Sequence, residues 1–452
     1  MKMPYMAYWK IILHKSSHKR NREDEDAKHT CTCGGGGGAS GMVAAIEAAK
    51  LGANVTVIEK KNKPGKKILA TGNGRCNFTN RNQEISCYHS SDDTLVQMVL
   101  QRFDHQKVID YFWESGVMSK ERDGYYYPLS GQAASVRAML EREMDRYKVE
   151  VHCDETLQRI IPRKDLSGQN ITGYEVQTDR DKYLVRKLIL AVGGSAAPAQ
   201  GTTGDGYRML QELGVAIVPP LPALTSIELD DACCKLWSGV RIMGQVELWC
   251  EGSRLAEDIG EIQMVAKGIS GIPVFQISGR VSRLLYQGKE PYLKLDVMPD
   301  HTKEQVMEEL LRRVNTYGVG RSLGDVLDGM LADKLAKALL QALHKSPGDG
   351  AEILQEDRWR NDLADQIKGK KLHIRKVSDF DKAQVTTGGV ALSELQADTL
   401  ELIKYPGIYV TGELADVDGI CGGYNLQWAW SSGHLAGQSA ACALKTKIRS
   451  RS

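Results

Sequence analysis

The rhythm of hydrophobic and polar positions changes repeatedly along the chain, and each change marks a different kind of structure. "ANVTVIE" (53–59) and "KYLVRKLILAVGG" (182–194) are β-branched, apolar runs that predict strands. "SGMVAAIEAAKLG" (40–52) is small and apolar at helical spacing, and predicts a helix closed at Gly52, where a left-handed residue is cheap. From about Gly214 the texture shifts. "PPLPALTSIEL", "GVRIMGQVELWCEG" and "PYLKLDVMP" alternate over short distances between Gly and Pro, predicting an antiparallel sheet or small barrel. From Asp300, read as an N-cap, apolar residues recur at three and four spacing with acids in the first turn. That predicts a helical subdomain ending at the Ser346-Pro347-Gly348 breaker. Beyond about Val377 a Gly-rich α/β texture returns and closes on the helix "GHLAGQSAACALKTK". The organisation expected is an α/β domain in two pieces, 34–213 and 377–452. Between them lie a β-rich insertion, 214–299 and 350–376, and a helical subdomain, 300–349. No internal repeat is visible.

Composition narrows the class. The chain has 452 residues, 42% apolar and 26% charged, as in ordinary globular proteins. A formal net charge of +2 provides no field for nucleic acid or acidic membranes. Ten cysteines lack metal-ligand spacing, and a reduced, cytoplasmic chain with no metal is expected. No run of eighteen apolar residues exists, so no membrane span is expected. "PYMAYWKIILHK" is too short and too charged for a signal peptide, and the block from about 14 to 28 is expected to stay solvated.

The first chemistry sits at Gly36-x-Gly38-x-x-Gly41. Gly36 permits a tight strand-to-helix turn, Gly38 lets backbone approach a pyrophosphate, and Gly41 lets the helix pack closely; the helix N-terminus then faces the phosphates. Glu59 lies about twenty residues on, at a strand end, where a carboxylate accepts ribose hydroxyls. Such an acid repels a 2′-phosphate, which points to FAD or NAD. Lys66, Lys67, Gly72, Gly74, Arg75 and Asn77 follow directly, a set of donors and small residues suited to the same pyrophosphate or to a flavin. The plain alternative is a basic surface loop.

Near the other end, the strand 408–410 leads into Gly412-Glu413, then Asp416 and Asp418, then Gly422-Gly423-Tyr424-Asn425. A carboxylate there can hold a ribityl hydroxyl, and a glycine turn opening a helix can place N–H groups near the flavin pyrimidine. Two cradles at opposite ends fit an elongated ligand, FAD, better than NAD.

These segments, with "YPLSGQAASV", "GTTGDGY", "KGISGIPVFQIS" and "TTGGVALSEL", resemble the NAD(P)/FAD-dependent oxidoreductases of the aminoacetone-oxidase-like family, which includes bile-acid 3-dehydro-Δ4,6-reductases. The resemblance runs in order from about Gly36 to Leu444. It implies an α/β fold: a split Rossmann-like FAD-binding domain with an inserted antiparallel β-barrel-like domain and a helical subdomain. It implies FAD contacts at Gly36, Gly38, Ala39, Ser40, Glu59, Lys60, Lys67, Gly74, Arg75, Cys76 and Asn77. It adds backbone near Thr156 and Leu157 on the adenine side. Ala191, Gly193 and Gly194 follow at a strand end, and Asp416 with the Gly423-Tyr424-Asn425 turn at the flavin end.

The function expected is hydride transfer between flavin N5 and a small or medium organic substrate, either enone reduction or amine oxidation. Tyr207, Tyr424 and Arg75 are the candidate proton donors or oxyanion stabilisers, set against purely structural roles. Thr203 and Asp205 either line the substrate side or cap the helix that follows. Cys76 and Cys421 lack a C-x-x-C neighbour and read as small buried cysteines. No second complete G-x-G-x-x-G with an acid appears, so NAD(P)H, if used, visits without a Rossmann site of its own. A tRNA-modifying flavoprotein and a flavin-binding protein without turnover are the alternatives.

The stretch before the glycines, "HTCTC", breaks the pattern. Residues 1–33 are expected to form an atypical, disordered tail. One possible coding of Thr30 to Cys33, ACT TGT ACT TGT, read one nucleotide later begins Leu-Val-Leu, which raises a shifted reading frame for residues 1 to about 34. The plain alternative is that Thr30 to Cys33 are themselves a weak strand.

Overall fold

The computed structural model describes residues 28–449. A strand, β1 (Lys28–Gly35), lies in the middle of a seven-stranded sheet, parallel to β2 (Val55–Glu59) on one side and to the strand Lys182–Leu190 on the other. The boundary expected at residue 34 therefore moves upstream, and the weak-strand alternative describes the backbone. A central strand takes main-chain hydrogen bonds from both neighbours whatever its side chains. Here both neighbours are buried, apolar strands in register, with Thr32 opposite Val55 and Lys187. The tail and the charge block upstream of Lys28 lie outside the described residues.

Parallel strands Glu150–Cys153 and Ile408–Val410 extend the sheet, and Ile171–Thr178 and Leu157–Lys164 add antiparallel pairs. The two pieces of the α/β domain thus meet in one sheet, as the split pattern implied. The chain leaves through Ile217–Ala223 and returns through Val385–Val390, which pair antiparallel and form a two-stranded bridge.

Beyond that bridge, six antiparallel strands close a barrel. Its side chains share one apolar core with the helical segment: Val246, Leu248 and Leu293 of the barrel join Val306, Leu310 and Leu339 of the helices. Barrel and helices are therefore a single packing unit. Two local readings shift. Thr302 caps the helix Lys303–Arg313 in a capping box with Gln305, in place of Asp300, because the Thr hydroxyl reaches the Gln305 amide. Within 350–376, expected to be β-rich, Asp357–Gly369 is a helix before the strand Lys370–Val377.

Helix α1 (Ala39–Lys50) packs along the C-terminal helix (Tyr424–Arg449). Beside that contact the buried Glu47 carboxylate meets Lys50 Nζ at 2.9 Å and His434 Nδ1 at 3.2 Å. Burial alone would raise its pKa, but His434 and Lys50 outweigh it and bring it down to about 2 from 4.5. A carboxylate depressed in the folded state stabilises the fold above its unfolded pKa, and the contribution fades as pH falls from 4.5 towards 2. Glu47→Gln should remove that part of the acid sensitivity, seen as a flatter midpoint-against-pH curve below pH ~4.5 in chemical denaturation. An unchanged slope would show that Glu47 does not carry it.

Candidate functional site

The turn from β1 into α1 is built by backbone that tolerates no side chain. Gly36 has φ +103, and a Cβ there would lie 2.4 Å from Ala191 O. A Cβ on Gly41 would lie 1.9 Å from Gly36 O, so turn and helix touch main chain to main chain. Gly38 differs: it is the N-cap, φ −77, with no side-chain capping bond, and the nearest atom to a Cβ would be Ala191 O at 3.9 Å. The space in front of the helix N-terminus is open, and it belongs to a cavity of about 1150 Å³.

Gly36, Gly38, Ala39 and Ser40 line this cavity, with Glu59 beside them. The Gly37 and Lys61 amides each donate to one Glu59 oxygen at 2.7 Å, and burial pushes the carboxyl pKa up. With one backbone donor each, both oxygens keep capacity to accept a further hydrogen bond. Thr156 and Leu157 line the same end, but the Thr156 amide is already given to Asp179 Oδ1 at 2.8 Å. Ala191 and Gly193 line the floor. Gly194 sits behind it, where a Cβ would meet Thr386 Oγ1 at 2.4 Å.

Lys67 and Glu413 join the two ends of the chain through a 2.6 Å ion pair, with Glu413 also accepting from the Thr386 amide at 2.9 Å. Lys60 reaches Thr203 and Asp205 at 2.8 and 2.9 Å. Asp205 is thus an ion-pair partner on the cavity wall, and no side chain caps its helix. Burial works against the Asp205 charge, yet the bonds from Thr203 and Lys60 hold its pKa below the usual range.

The loop 71–77 turns through left-handed residues, Gly72, Asn73, Gly74 and Cys76. It presents Thr71, Gly72, Asn73 and Asn77 to the cavity; Gly74 and Arg75 are exposed and off it. Cys76 is buried in the core, where burial pushes its thiol up to about 12. At the far end Gly412, Glu413, Gly423 and Asn425 line the wall. Asn425 closes its own turn by bonding Gly419 twice, at 2.9 and 2.7 Å. Asp416 is buried off the cavity, its pKa raised by burial and by Asp418.

One atom calls for a ligand. Asn77 Oδ1 is buried, no donor among the described residues reaches it, and it faces Gly423, where a Cβ would lie 2.9 Å away. One cavity extends from the Glu59 carboxylate, past an open helix N-terminus, to the Asn77 carboxamide at a glycine turn. The residues present fit FAD.

A family model described as the HI0933-like protein Rossmann domain matches residues 35–439. The chain belongs to the HI0933-like family. A 3-dehydro-bile acid delta(4,6)-reductase of Clostridium scindens is 40% identical over 405 residues, 89% of this chain and 97% of that protein. Ribosomal RNA dihydrouridine synthases of Haemophilus influenzae and Escherichia coli are 28% and 27% identical, over 90% of this chain and 96% of their own length. This HI0933-like protein is an FAD-dependent oxidoreductase. No helix among its described residues is long and apolar enough to cross a membrane.

In the HI0933-like enzyme the three side chains expected to carry protons do not line the cavity. Tyr207 is buried with its hydroxyl on Glu413 O at 3.1 Å, and burial raises its pKa far up. Tyr424 is buried beneath its own glycine turn, edge-on to Tyr88 at 5.6 Å, its pKa likewise raised by burial. Arg75 is exposed. Helix geometry explains both tyrosines: each lies at the start of a helix, on the side that packs inward.

The wall around the Gly422–Asn425 turn comes instead from two barrel strands, the start of the helix Ile272–Tyr286 and the bridge: Arg241, Gln263, Gly271, Ile272, Phe275 and Gln384. Tyr125 completes it from the hairpin Ser119–Arg122 and Tyr125–Pro128, while Tyr127 of the same hairpin lines the cavity nearer Gly72. None of these carries a binding motif of its own. The only signals were the family segments "YPLSGQAASV" and "KGISGIPVFQIS", which begin at or overlap them. Cys421 also lines the wall, its thiol pushed up to about 12 by burial.

Proposed function

We propose that this enzyme reduces a carbon–carbon double bond conjugated to a carbonyl in a small or medium organic substrate, with NAD(P)H reducing its flavin. The observation that carries the reading is the extent of the cavity. Beyond the Gly422–Asn425 turn the same cavity is lined by residues of the barrel and of the helix Ile272–Tyr286, a chamber where a second molecule can lie beside a flavin. The relatives point to the same bond: a Δ4,6 reduction of a 3-dehydro compound and the formation of dihydrouridine both saturate a double bond conjugated to a carbonyl.

Bound flavin supplies two-electron hydride exchange. The chain's own residues do the rest. The open N-terminus of α1 holds the pyrophosphate with backbone N–H groups and its positive dipole end. Glu59 takes ribose hydroxyls, and Asn77 Oδ1 takes an N–H at the flavin end. Leu224, Phe275 and Val385 form an apolar patch on the chamber wall that excludes water beside the reacting carbons.

The RNA-synthase relatives carry a second reading, in which the double bond belongs to a uridine of ribosomal RNA. Anaerobic enzyme, reduced by NADH or NADPH, should recover its oxidised flavin spectrum when mixed with cyclic enones and not with deproteinised ribosomal RNA. Recovery with RNA alone, with dihydrouridine found by mass spectrometry, would transfer the assignment to the second reading. Recovery with neither, or bleaching of the oxidised enzyme by amines instead, would overturn the reduction.

A further inference from the structure

The hairpin that completes the chamber carries three consecutive tyrosines, and its strand pairing sorts them. Thr79 pairs with Tyr126 and Asn80 with Tyr125, so successive side chains point to opposite faces. Tyr126 turns inward, its ring 6.5 Å from Phe78. Tyr125 and Tyr127 turn to the cavity and lie at different stations along it. A Cβ on Gly72, in the loop below the pyrophosphate end, would have Tyr127 Cε1 at 3.8 Å; a Cβ on Gly422, at the flavin-end turn, would have Tyr125 Cε1 at 3.1 Å.

Saturating a conjugated double bond needs a proton at the α-carbon as well as a hydride at the β-carbon. The donor must line the flavin end of the cavity, hold a proton at neutral pH and recover it from water. Tyr207 and Tyr424 fail the first condition. Tyr127 stands at the wrong station. Cys421 also lines the wall, half-buried against Ala223, Leu224, Phe275 and Val385, and serves as the control in the test below. Tyr125 meets all three conditions: it lines the flavin end, it is a phenol whose pKa burial moves further up, and it is 37% exposed.

We propose that Tyr125 is the proton donor to the substrate's α-carbon; this rests on the reduction assigned above. The double bond takes a hydride, with both electrons, from the reduced flavin at the β-carbon. The displaced electron pair forms the α-carbon–hydrogen bond with the proton from Tyr125 Oη. The phenolate left behind recovers a proton from solvent water, so substrate gains two electrons and two hydrogens in all.

The test compares wild type with Tyr125→Phe, which keeps the ring and so the hairpin. Enone affinity for the oxidised holoenzyme, by equilibrium dialysis, should stay within about twofold, while reoxidation of pre-reduced flavin by enone should slow by about 100-fold or more. In D2O, wild type should place deuterium on one face of the α-carbon, and the variant should lose that preference. A variant that reoxidises at the wild-type rate overturns the proposal, as does a loss confined to Cys421→Ala. A variant that fails only because its enone affinity collapses shows Tyr125 to be a wall and overturns it too. If wild-type reduced flavin reacts with no enone, the reduction itself falls, and the proposal with it.

Discussion

Gly38→Ala is expected to purify folded and nearly colourless. A methyl group at Gly38 meets nothing of the protein nearer than 3.9 Å, and its φ of −77 suits any residue, so the fold loses nothing. Replacing glycine at such a position stabilises by about 0.4–1 kcal/mol through the unfolded chain. The methyl group instead occupies the open space before the helix N-terminus, where the proposed site holds pyrophosphate. Displacing it forfeits one or two charge-assisted hydrogen bonds of ~1.5–3 kcal/mol each, or about 100-fold in flavin affinity. Gly41→Ala supplies the contrast. Its Cβ would sit 1.9 Å from Gly36 O, so the turn itself must shift, and both fold and flavin should be lost. Thermal unfolding and fluorescence of released flavin, measured on the two variants, separate the cases. A Gly38→Ala enzyme with undiminished flavin affinity would place the pyrophosphate elsewhere.

The second large effect lies at Gly433 and Gly437. Cβ atoms there would stand 2.4 Å from Ser40 O and 2.4 Å from Ala44 O, so the C-terminal helix crosses α1 at main-chain contact. In a close-packed interior such an insertion is relieved only by pushing the helices apart. Each Gly→Ala change is expected to destabilise the α/β domain by ~1–3 kcal/mol or more. The two should differ in their reach. Ser40 is in the first turn of α1, so Gly433→Ala should also weaken flavin binding, whereas Gly437→Ala acts a turn deeper and should act on stability alone. Denaturant midpoints with flavin titrations measure both. Midpoints unchanged in both variants would mean that the helices part freely.

Much of the site was legible before any fold was known. The spacing of Gly36, Gly38 and Gly41 with Glu59 encodes a turn, a helix start and an acid-ended strand, all decided by residues near in sequence. The returning α/β texture after Val377 required two distant pieces to share a sheet, and Lys182–Leu190 pairs with both β1 and Ile408–Val410. Other readings failed for equally definite reasons. "HTCTC" lacks large apolar side chains, yet two buried neighbours hold its backbone in the sheet centre. Tyr207 and Tyr424 stand in Gly-rich loops that read as site walls, but a side chain at a helix start faces whichever side the helix packs on, and both pack inward. "YYYP" alternates in plain view, but which of its faces meets the cavity depends on pairing with Thr79 and Asn80.

The sequence by itself determined the glycine turns, the acid that ends β2 and the interruption of the α/β domain. Those features depend on backbone conformation and short-range spacing, which a handful of adjacent residues decide. Only the tertiary structure decided the far half of the cavity, where the proposed substrate lies. Tyr125, Gln263, Phe275, Gln384 and Cys421 come from five separate segments, and the barrel's packing across the two-stranded bridge is what brings them to one chamber. No local rule places them there, because the wall is assembled by contacts between separate segments, Tyr125 with Asn80, Gln384 with Leu224 and Cys421 with Gln276.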